Sequence, residues 1–225
     1  MSKQKYALLV VAHPDDESIF FSGLLMNQRS LPWKVICVTD GNADQMGSKR
    51  RDQFIKTCKL LKVKHEHWDF KDVFEIRLNI NDIIKRLQTL AQPTIVYTHG
   101  ILGEYGHPHH QDISFAVHKA FAKKASVYSV AYNSYPEKLI KLTKTQYKTK
   151  TKILTNIYQS ETLRFLNFLP ITPSEGFLVS SFAEVDHIYS YFVFGTELKK
   201  SKLKKYLHLY DYLRERRSLL QSRPF

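Results

Sequence analysis

Two short strings hold the residue types from which a hydrolytic site is built: Ala12-His13-Pro14-Asp15-Asp16-Glu17 and His107-Pro108-His109-His110. Imidazole and carboxylate are good ligands for a borderline divalent cation such as Zn²⁺. Adjacent side chains at a strand-to-helix turn point in different directions, so Asp15 and Asp16 need not do the same work. If His13 and Asp16 hold a metal, Asp15 is left to face the attacking water as a general base. Pro14 stiffens the turn, and Glu17 puts a negative charge at a helix start, where the dipole favours it. A catalytic zinc takes three protein ligands and keeps one position open. His107 and His110 each qualify as the third: one binds the metal while the other approaches the substrate. A single histidine near a strand end is ordinarily structural, and an Asp pair there is ordinarily a helix cap. The two strings together predict a metal site.

The elements that must position these strings follow from the apolar pattern. Residues 5–12 form a continuous apolar run, read as a buried strand. Helix-compatible spacing follows over 17–29. Residues 34–39 give a second strand, closed by the turn signal Asp40-Gly41-Asn42. Residues 49–61 carry Phe54, Cys58 and Leu61 at helical spacing. A weaker strand lies at 65–70, a helix at 78–90 before Pro93, a strand at 94–99, a loop at 100–108, a helix at 110–123 and a strand at 126–132. Further on, 142–165 reads as helix, 176–179 and 188–194 as short strands, and 197–221 as one long basic helix.

Alternating strands and helices predict an α/β fold: a mostly parallel sheet with helices on both faces. One domain over 1–225 is expected, with the core in 1–135 and a basic C-terminal part in 136–225. In open α/β sheets ligands bind beyond the carboxyl ends of the strands. Both strings follow strands directly and, with residues 40–44, open onto one edge. Asp40, Asn42 and Asp44 are placed to line a pocket there, although loop polarity explains them equally. His99 either orients a metal ligand through a hydrogen bond or is a buried structural residue. His65, His67, His118, His187 and His208 read as structural.

Lysine and arginine number 34 against 21 acidic residues, a net charge of +13. That balance favours anionic partners. Much of the excess lies in 138–152 and 199–217, as solvated helix faces or as a landing surface for a phosphorylated or polymeric substrate. Peripheral membrane contact stays open. No zinc-finger spacing, basic-leucine repeat or ribonucleoprotein motif points to specific nucleic-acid binding. No run approaches the ~18 apolar residues of a membrane span, and none reads as a secretory signal. Cys37 and Cys58 sit in apolar patterns as core thiols. A cytoplasmic location is expected, and the oligomeric state is not legible.

The first string resembles the opening motif of the PIG-L/LmbE-like zinc-dependent de-N-acetylases. Gly103-Glu104-Tyr105-Gly106-His107-Pro108-His109-His110 looks like that family's second motif, a His-x-x-His preceded by Gly and Tyr. The resemblance spans roughly the first 130 residues. It implies a Rossmann-like fold and removal of acetyl from an N-acetylglucosamine-type sugar. It also implies zinc, with Fe or Co possible for such a donor set, held by His13, Asp16 and His110. Asp15 would be the general base, His107 the electrophilic or acidic histidine acting as imidazolium, and Tyr105 an aid to the oxyanion. Arg50 or Arg51 would touch the substrate, as would Asp72. With the basic C-terminal part, the substrate expected is a phosphorylated, nucleotide-linked, lipid-linked or polymeric amino sugar.

Two positions depart from the pattern. His109 stands where the family often has Asp or Asn, which adds a potential ligand or cation on the substrate side. Arg50-Arg51-Asp52-Gln53 replaces a frequent Arg-x-x-Glu, which unsettles the sugar contacts. A metal amidase acting on a non-sugar amide fits the same ligands. An inactive binding relative is disfavoured because the residues for turnover are present. A dinucleotide-binding protein is disfavoured because Ala12-His13-Pro14-Asp15 replaces the glycine fingerprint.

Overall fold

The computed structural model describes residues 5–27, 30–73, 76–164 and 170–220. The chain runs β1 (Ala7–Val11), α1 (Asp16–Ile19), α2 (Ser22–Asn27), β2 (Trp33–Thr39), α3 (Gly47–Leu61), β3 (Lys64–Phe70), α4 (Ile80–Gln88), β4 (Ile95–Thr98) and α5 (Pro108–Phe121). It continues through β5 (Ser126–Val130), β6 (Lys138–Lys141), α6 (Lys144–Lys152), α7 (Gln159–Thr162), β7 (Ser174–Val179), α8 (Phe182–Phe194) and α9 (Tyr210–Leu220). The strands form one seven-stranded sheet in the order β3-β2-β1-β4-β5-β7-β6. The first five in that order are parallel, and β7 runs antiparallel to both β5 and β6. The result is the expected α/β architecture, Rossmann-like and mostly parallel, with an antiparallel edge.

β1 shows why its sequence is apolar throughout. Ala7, Leu9 and Val11 enter one core with Phe21, Leu24, Phe54 and Cys58. Leu8 and Val10 enter another with Ile83, Leu87, Ile113 and Val117. Helices cover both faces, so neither set of alternate residues meets water. β2 lies on one side of β1 and β4 on the other. The direction of winding therefore reverses between β1 and β4, and a crevice opens at their carboxyl ends. The first string leaves β1 at that point and the second follows β4.

Several C-terminal expectations are corrected. Residues 188–194 are not a strand but the end of α8. Ser181 caps that helix by accepting from the Glu184 amide. Val185, Ile188 and Tyr189 are buried at helical spacing, and Tyr189 stacks on Phe115 with centroids 4.3 Å apart. The aromatic run favours a strand by propensity alone, but packing on α5 decides for the helix. Residues 197–220 are not one helix either, and residue 221 of that reading lies outside the described residues. They hold 3₁₀ turns at Lys200–Lys202 and Leu207–Leu209 before α9 begins. Leu198, Leu203 and Tyr206 are all buried, and the Lys204 and Tyr206 amides donate to Glu184 Oε1 instead of helical carbonyls.

The helix read over 17–29 is split into α1 and α2, and its residue 29 lies outside the described residues. The helix read over 142–165 becomes α6, a π-helical turn at Ile153–Ile157, and α7; its residue 165 also lies outside. β6 went unread because Lys138 and Lys141 make its sequence look like part of a basic run. No helix among the described residues is long and apolar enough to cross a membrane.

Candidate active site

The turn from β1 into α1 depends on Asp15, whose φ of 121° is one that L-residues rarely adopt. Buried hydrogen bonds hold it there. Glu17 Oε2 accepts from the Asp15 amide at 3.1 Å, and Asp16 Oδ2 accepts from the His13 amide at 2.8 Å. Glu17 is itself fixed by donation from Ser18 Oγ and Tyr158 Oη. Burial pushes its carboxyl up to about 7. Glu17 thus shapes the turn as well as complementing the helix dipole.

The second string turns on Gly103, at φ 73°. A Cβ there would lie 2.5 Å from the His107 carbonyl oxygen, so no larger residue fits. His107 is the N-cap of α5, with Pro108 at the first helical position. Its Nδ1 accepts from the His109 amide at 3.2 Å. Nδ1 therefore carries no proton, and Nε2 carries the only one. Burial and the neighbouring His110, His13 and His109 rings push its pKa well down. Burial and a helix N-terminus both disfavour the imidazolium expected of His107 and favour a neutral imidazole with its proton on Nε2.

His13, Asp16 and His110 converge. His110 Nε2 lies 3.3 Å from His13 Nδ1 and 3.4 Å from Asp16 Oδ1, and His13 Nδ1 lies 3.5 Å from Asp16 Oδ2. His110 Nδ1 donates to Glu104 Oε2 at 2.6 Å, so its Nε2 presents a bare lone pair to the other two groups. Burial resists ionisation of Asp16, but His110, His99 and His13 outweigh it and hold the carboxyl well below its usual range. A lone pair facing an ionised carboxylate at this distance is repulsive unless a cation lies between them. The donor set therefore fits a divalent metal, and two imidazoles with one carboxylate suit Zn²⁺, Fe²⁺ or Co²⁺.

Glu104 also receives His99 Nδ1 at 3.2 Å and the Gly100 amide at 2.8 Å. Burial pushes Glu104 up, but His99 and His110 prevail and hold it at about 2. The same carboxylates overcome burial to draw His99 up to about 10. Against that charge stands the Ala12 amide, which donates to His99 Nε2 at 3.0 Å. Asp16 Oδ2 lies 3.3 Å from the same Nε2, so that nitrogen faces both an amide and a carboxylate, while Nδ1 keeps its proton toward Glu104 in either charge state. His99 thereby ties the end of β1 to Glu104 and, through it, to His110.

Asp15 is buried beside this cluster. Desolvation and the Asp16 carboxylate push it well above the usual carboxylate range, which Arg164 partly offsets. Arg164 Nη2 lies 3.4 Å from Asp15 Oδ2. Two adjacent carboxyls are thus driven apart, one held ionised and one ready to hold a proton.

A cavity of about 980 Å³ opens over the cluster, lined by Asp15, Asp16, Tyr105, His107, Arg50 and Arg164 among others. Tyr105 is exposed and sets its ring edge to His107 and His110 at 6.0 and 5.6 Å. Asp72 reaches the rim, 3.4 Å from His109 Nδ1. His109 is buried, and its Nε2 is fixed by the Ile76 carbonyl. Arg50 borders the cavity, but its guanidinium is committed to Asp44, Glu161 and the Gly41 carbonyl. Arg51 is exposed and lies outside the lining. Asp44 also lines the cavity, whereas Asp40 spends its oxygens on Lys71 and the Asn42 and Asp72 amides. Arg164 is the more exposed of the two arginines in the lining, its side chain 59% exposed, although Nη2 also pairs with Asp15 Oδ2 and Glu161 Oε2 at 3.4 and 3.1 Å.

Residues 8–121 match the PIG-L family, described as GlcNAc-PI de-N-acetylase. The chain belongs to the PIG-L family. A protein of Acanthamoeba polyphaga mimivirus described only as uncharacterized is 33% identical over 170 residues, covering 68% of this chain and 71% of that one. The N-acetylglucosaminyl-phosphatidylinositol de-N-acetylase of Saccharomyces cerevisiae is 27% identical over 174 residues, or 70% of this chain and 57% of the yeast protein. This chain thus spans little more than half of that relative. Among solved structures, a deacetylase of teicoplanin biosynthesis has a TM-score of 0.58 at 14% identity, covering 78% of this chain and 99% of that one. A 4-carboxy-2-hydroxymuconate hydratase of Pseudomonas putida has a TM-score of 0.56 at 17% identity, covering 78% and 96%. At such identities the likeness concerns the fold, which here carries two different reactions.

Three residues of this PIG-L site escaped the sequence reading. Glu104 stands inside the second string, and the rule that ligating histidines pair with carboxylates was a reason to look for it. Arg164 and Glu161 carried no signal, since they reach the site only through the path of α7 and the chain after it.

Proposed function

We propose that this PIG-L protein is a metal-dependent hydrolase that removes the N-acetyl group from an N-acetylglucosamine-type amino sugar. The reading is carried by the convergence of His13, Asp16 and His110 on one point beside Asp15, at the floor of a cavity large enough for a substituted sugar. His13, Asp16 and His110 would hold the metal, zinc with iron or cobalt as other occupants. When bound there, a divalent cation supplies Lewis acidity toward a water and the acyl oxygen.

The chain's own residues do the rest. Asp15 takes a proton from the water as its oxygen bonds to the acyl carbon. Its raised pKa suits it to keep that proton and pass it to the amine as the C–N bond breaks. His107 Nε2–H donates to the oxygen on which charge develops; a donor of this kind is worth about 10²–10³ in rate. Tyr105 borders the same space. Acetate and a free amine leave.

The anionic character proposed for the substrate rests on the net charge and on Arg164, the exposed guanidinium facing the cavity. Phosphate-bearing sugars fit that cation. Arg50 would shape the wall and leave anion contact to Arg164.

The test combines elemental analysis with a panel of acylated amines: N-acetylglucosamine, its 1-phosphate, a lipid-linked form and non-sugar acetamides. About one equivalent of metal, lost in Asp16→Ala and His110→Ala with the fold retained by circular dichroism, is expected. Acetate should be released from the sugars and not from the simple amides. Hydrolysis of simple amides alone would move the assignment to a general metal amidase.

A further inference from the structure

His109 occupies the position where a carboxylate or carboxamide is usual in the resembling motif, and its contacts are specific. The ring is buried, and Nε2 lies 2.8 Å from the Ile76 carbonyl oxygen. A carbonyl only accepts, so Nε2 carries a proton. Nδ1 of the same ring lies 3.1 Å from His13 Nε2. In a neutral ring Nδ1 is then bare, and His13 Nε2 must be the donor between them. Asp72 Oδ1 lies 3.4 Å from the same Nδ1 and favours a second proton there, but the ring is buried, and a charged ring would stand against a residue that would itself face a dication, both of which oppose it.

This chain of donors settles which nitrogen of His13 is free. With its proton on Nε2, His13 keeps a lone pair on Nδ1, the nitrogen turned toward His110 Nε2 and Asp16. Asp72 Oδ1 is the next acceptor available to His13 Nε2, but at 3.8 Å it is beyond hydrogen-bond length. We infer that His109, anchored on the Ile76 carbonyl, is a positioning residue that locks His13 in the tautomer able to bind a divalent cation through Nδ1. In this chain a neutral imidazole thus performs the orienting task that carboxylates commonly perform for metal-binding histidines. It does so without adding a negative charge beside the metal.

The inference rests on the metal site proposed above but not on the reaction assigned to it, and its test needs no turnover. Histidine tautomers would be read by ¹⁵N NMR in the metal-free wild type, in His109→Leu/Asp72→Asn and in His109→Asp. Zinc affinity of each would be measured by chelator competition. Wild type should show His13 with its proton on Nε2. The Leu/Asn double variant should show a mixture of tautomers and bind zinc about 10–100-fold more weakly. His109→Asp supplies an acceptor to the same nitrogen and should restore both readouts. An unchanged tautomer and affinity in the double variant would overturn the proposal, as would His109→Asp behaving like that variant. Should the double variant fail to fold, the wild-type tautomer and the Asp variant still decide: a proton on His13 Nδ1 in metal-free wild type is incompatible with it.

Discussion

Glu104 Oε2 lies 2.6 Å from His110 Nδ1, and neither group has access to water. The bond turns the bare Nε2 of His110 toward His13 and Asp16. Glu104→Gln keeps an acceptor for the Gly100 amide but removes the charge that orients His110 and His99. Zinc affinity should fall about 10–100-fold with the fold intact. Chelator competition measures this; an unchanged affinity would show that Glu104 serves the loop and not the ligand.

Asp15 separates from the ligands by function. Asp15→Asn keeps the shape of the turn and removes the base. Metal content should stay near one equivalent while kcat falls about 10²–10⁴-fold. Loss of metal in this variant would mean that Asp15 is itself a ligand.

Arg50 and Arg51 are adjacent in sequence and should behave differently. Arg50→Met strips a buried Glu161 of its closest cation, at 2.8 Å. A loss of stability on the order of 3 kcal/mol is expected, softened by Arg164. Arg51→Ala should leave both stability and KM unchanged, because the side chain is exposed and outside the cavity. Denaturant melts of the two variants, with KM for the active sugar, make the comparison.

His118 gives a pH dependence remote from the metal ligands. Its ring is buried in α5, Nδ1 donates to the Ser114 carbonyl at 2.7 Å, and burial pushes its pKa down to about 4. In the unfolded chain a histidine titrates near ~6.5. Between those values the unfolded state binds more protons, so this group's contribution is complete above pH ~6.5 and is lost as pH falls toward 4. The full swing is roughly 3 kcal/mol. His118→Asn keeps a donor for Ser114 and does not titrate. Its melting temperature should fall less steeply than wild type's across that window, and parallel curves would refute the assignment.

The sequence by itself determined the parallel half of the sheet and the place of the site. Strands buried on both faces need continuous apolar runs, and 5–12, 34–39 and 94–99 are such runs. The strings that follow them must then share one edge, and that follows from chain order and handedness alone. The resemblance to the family motif added His13, Asp16 and His110 as the proposed ligands, where side-chain type and spacing left the third open between His107 and His110.

What only the tertiary structure decided lies where local pattern and packing disagree, or where a partner is distant in sequence. Residues 188–194 have strand propensity but pack as helix against Phe115. The basic stretch after 197 gives its Lys204 and Tyr206 amides to Glu184, and a continuous helix would need them for its own carbonyls. The charge state of His107 follows from a cap at the start of α5. The tautomer of His13 follows from a carbonyl at residue 76, and the commitment of Arg50 follows from Glu161, 111 positions away. A one-dimensional pattern reports which residues must avoid water. Hydrogen-bond partners that fix protons and charges are chosen by the folded chain, because they depend on distances of 3 Å between segments that the sequence holds apart.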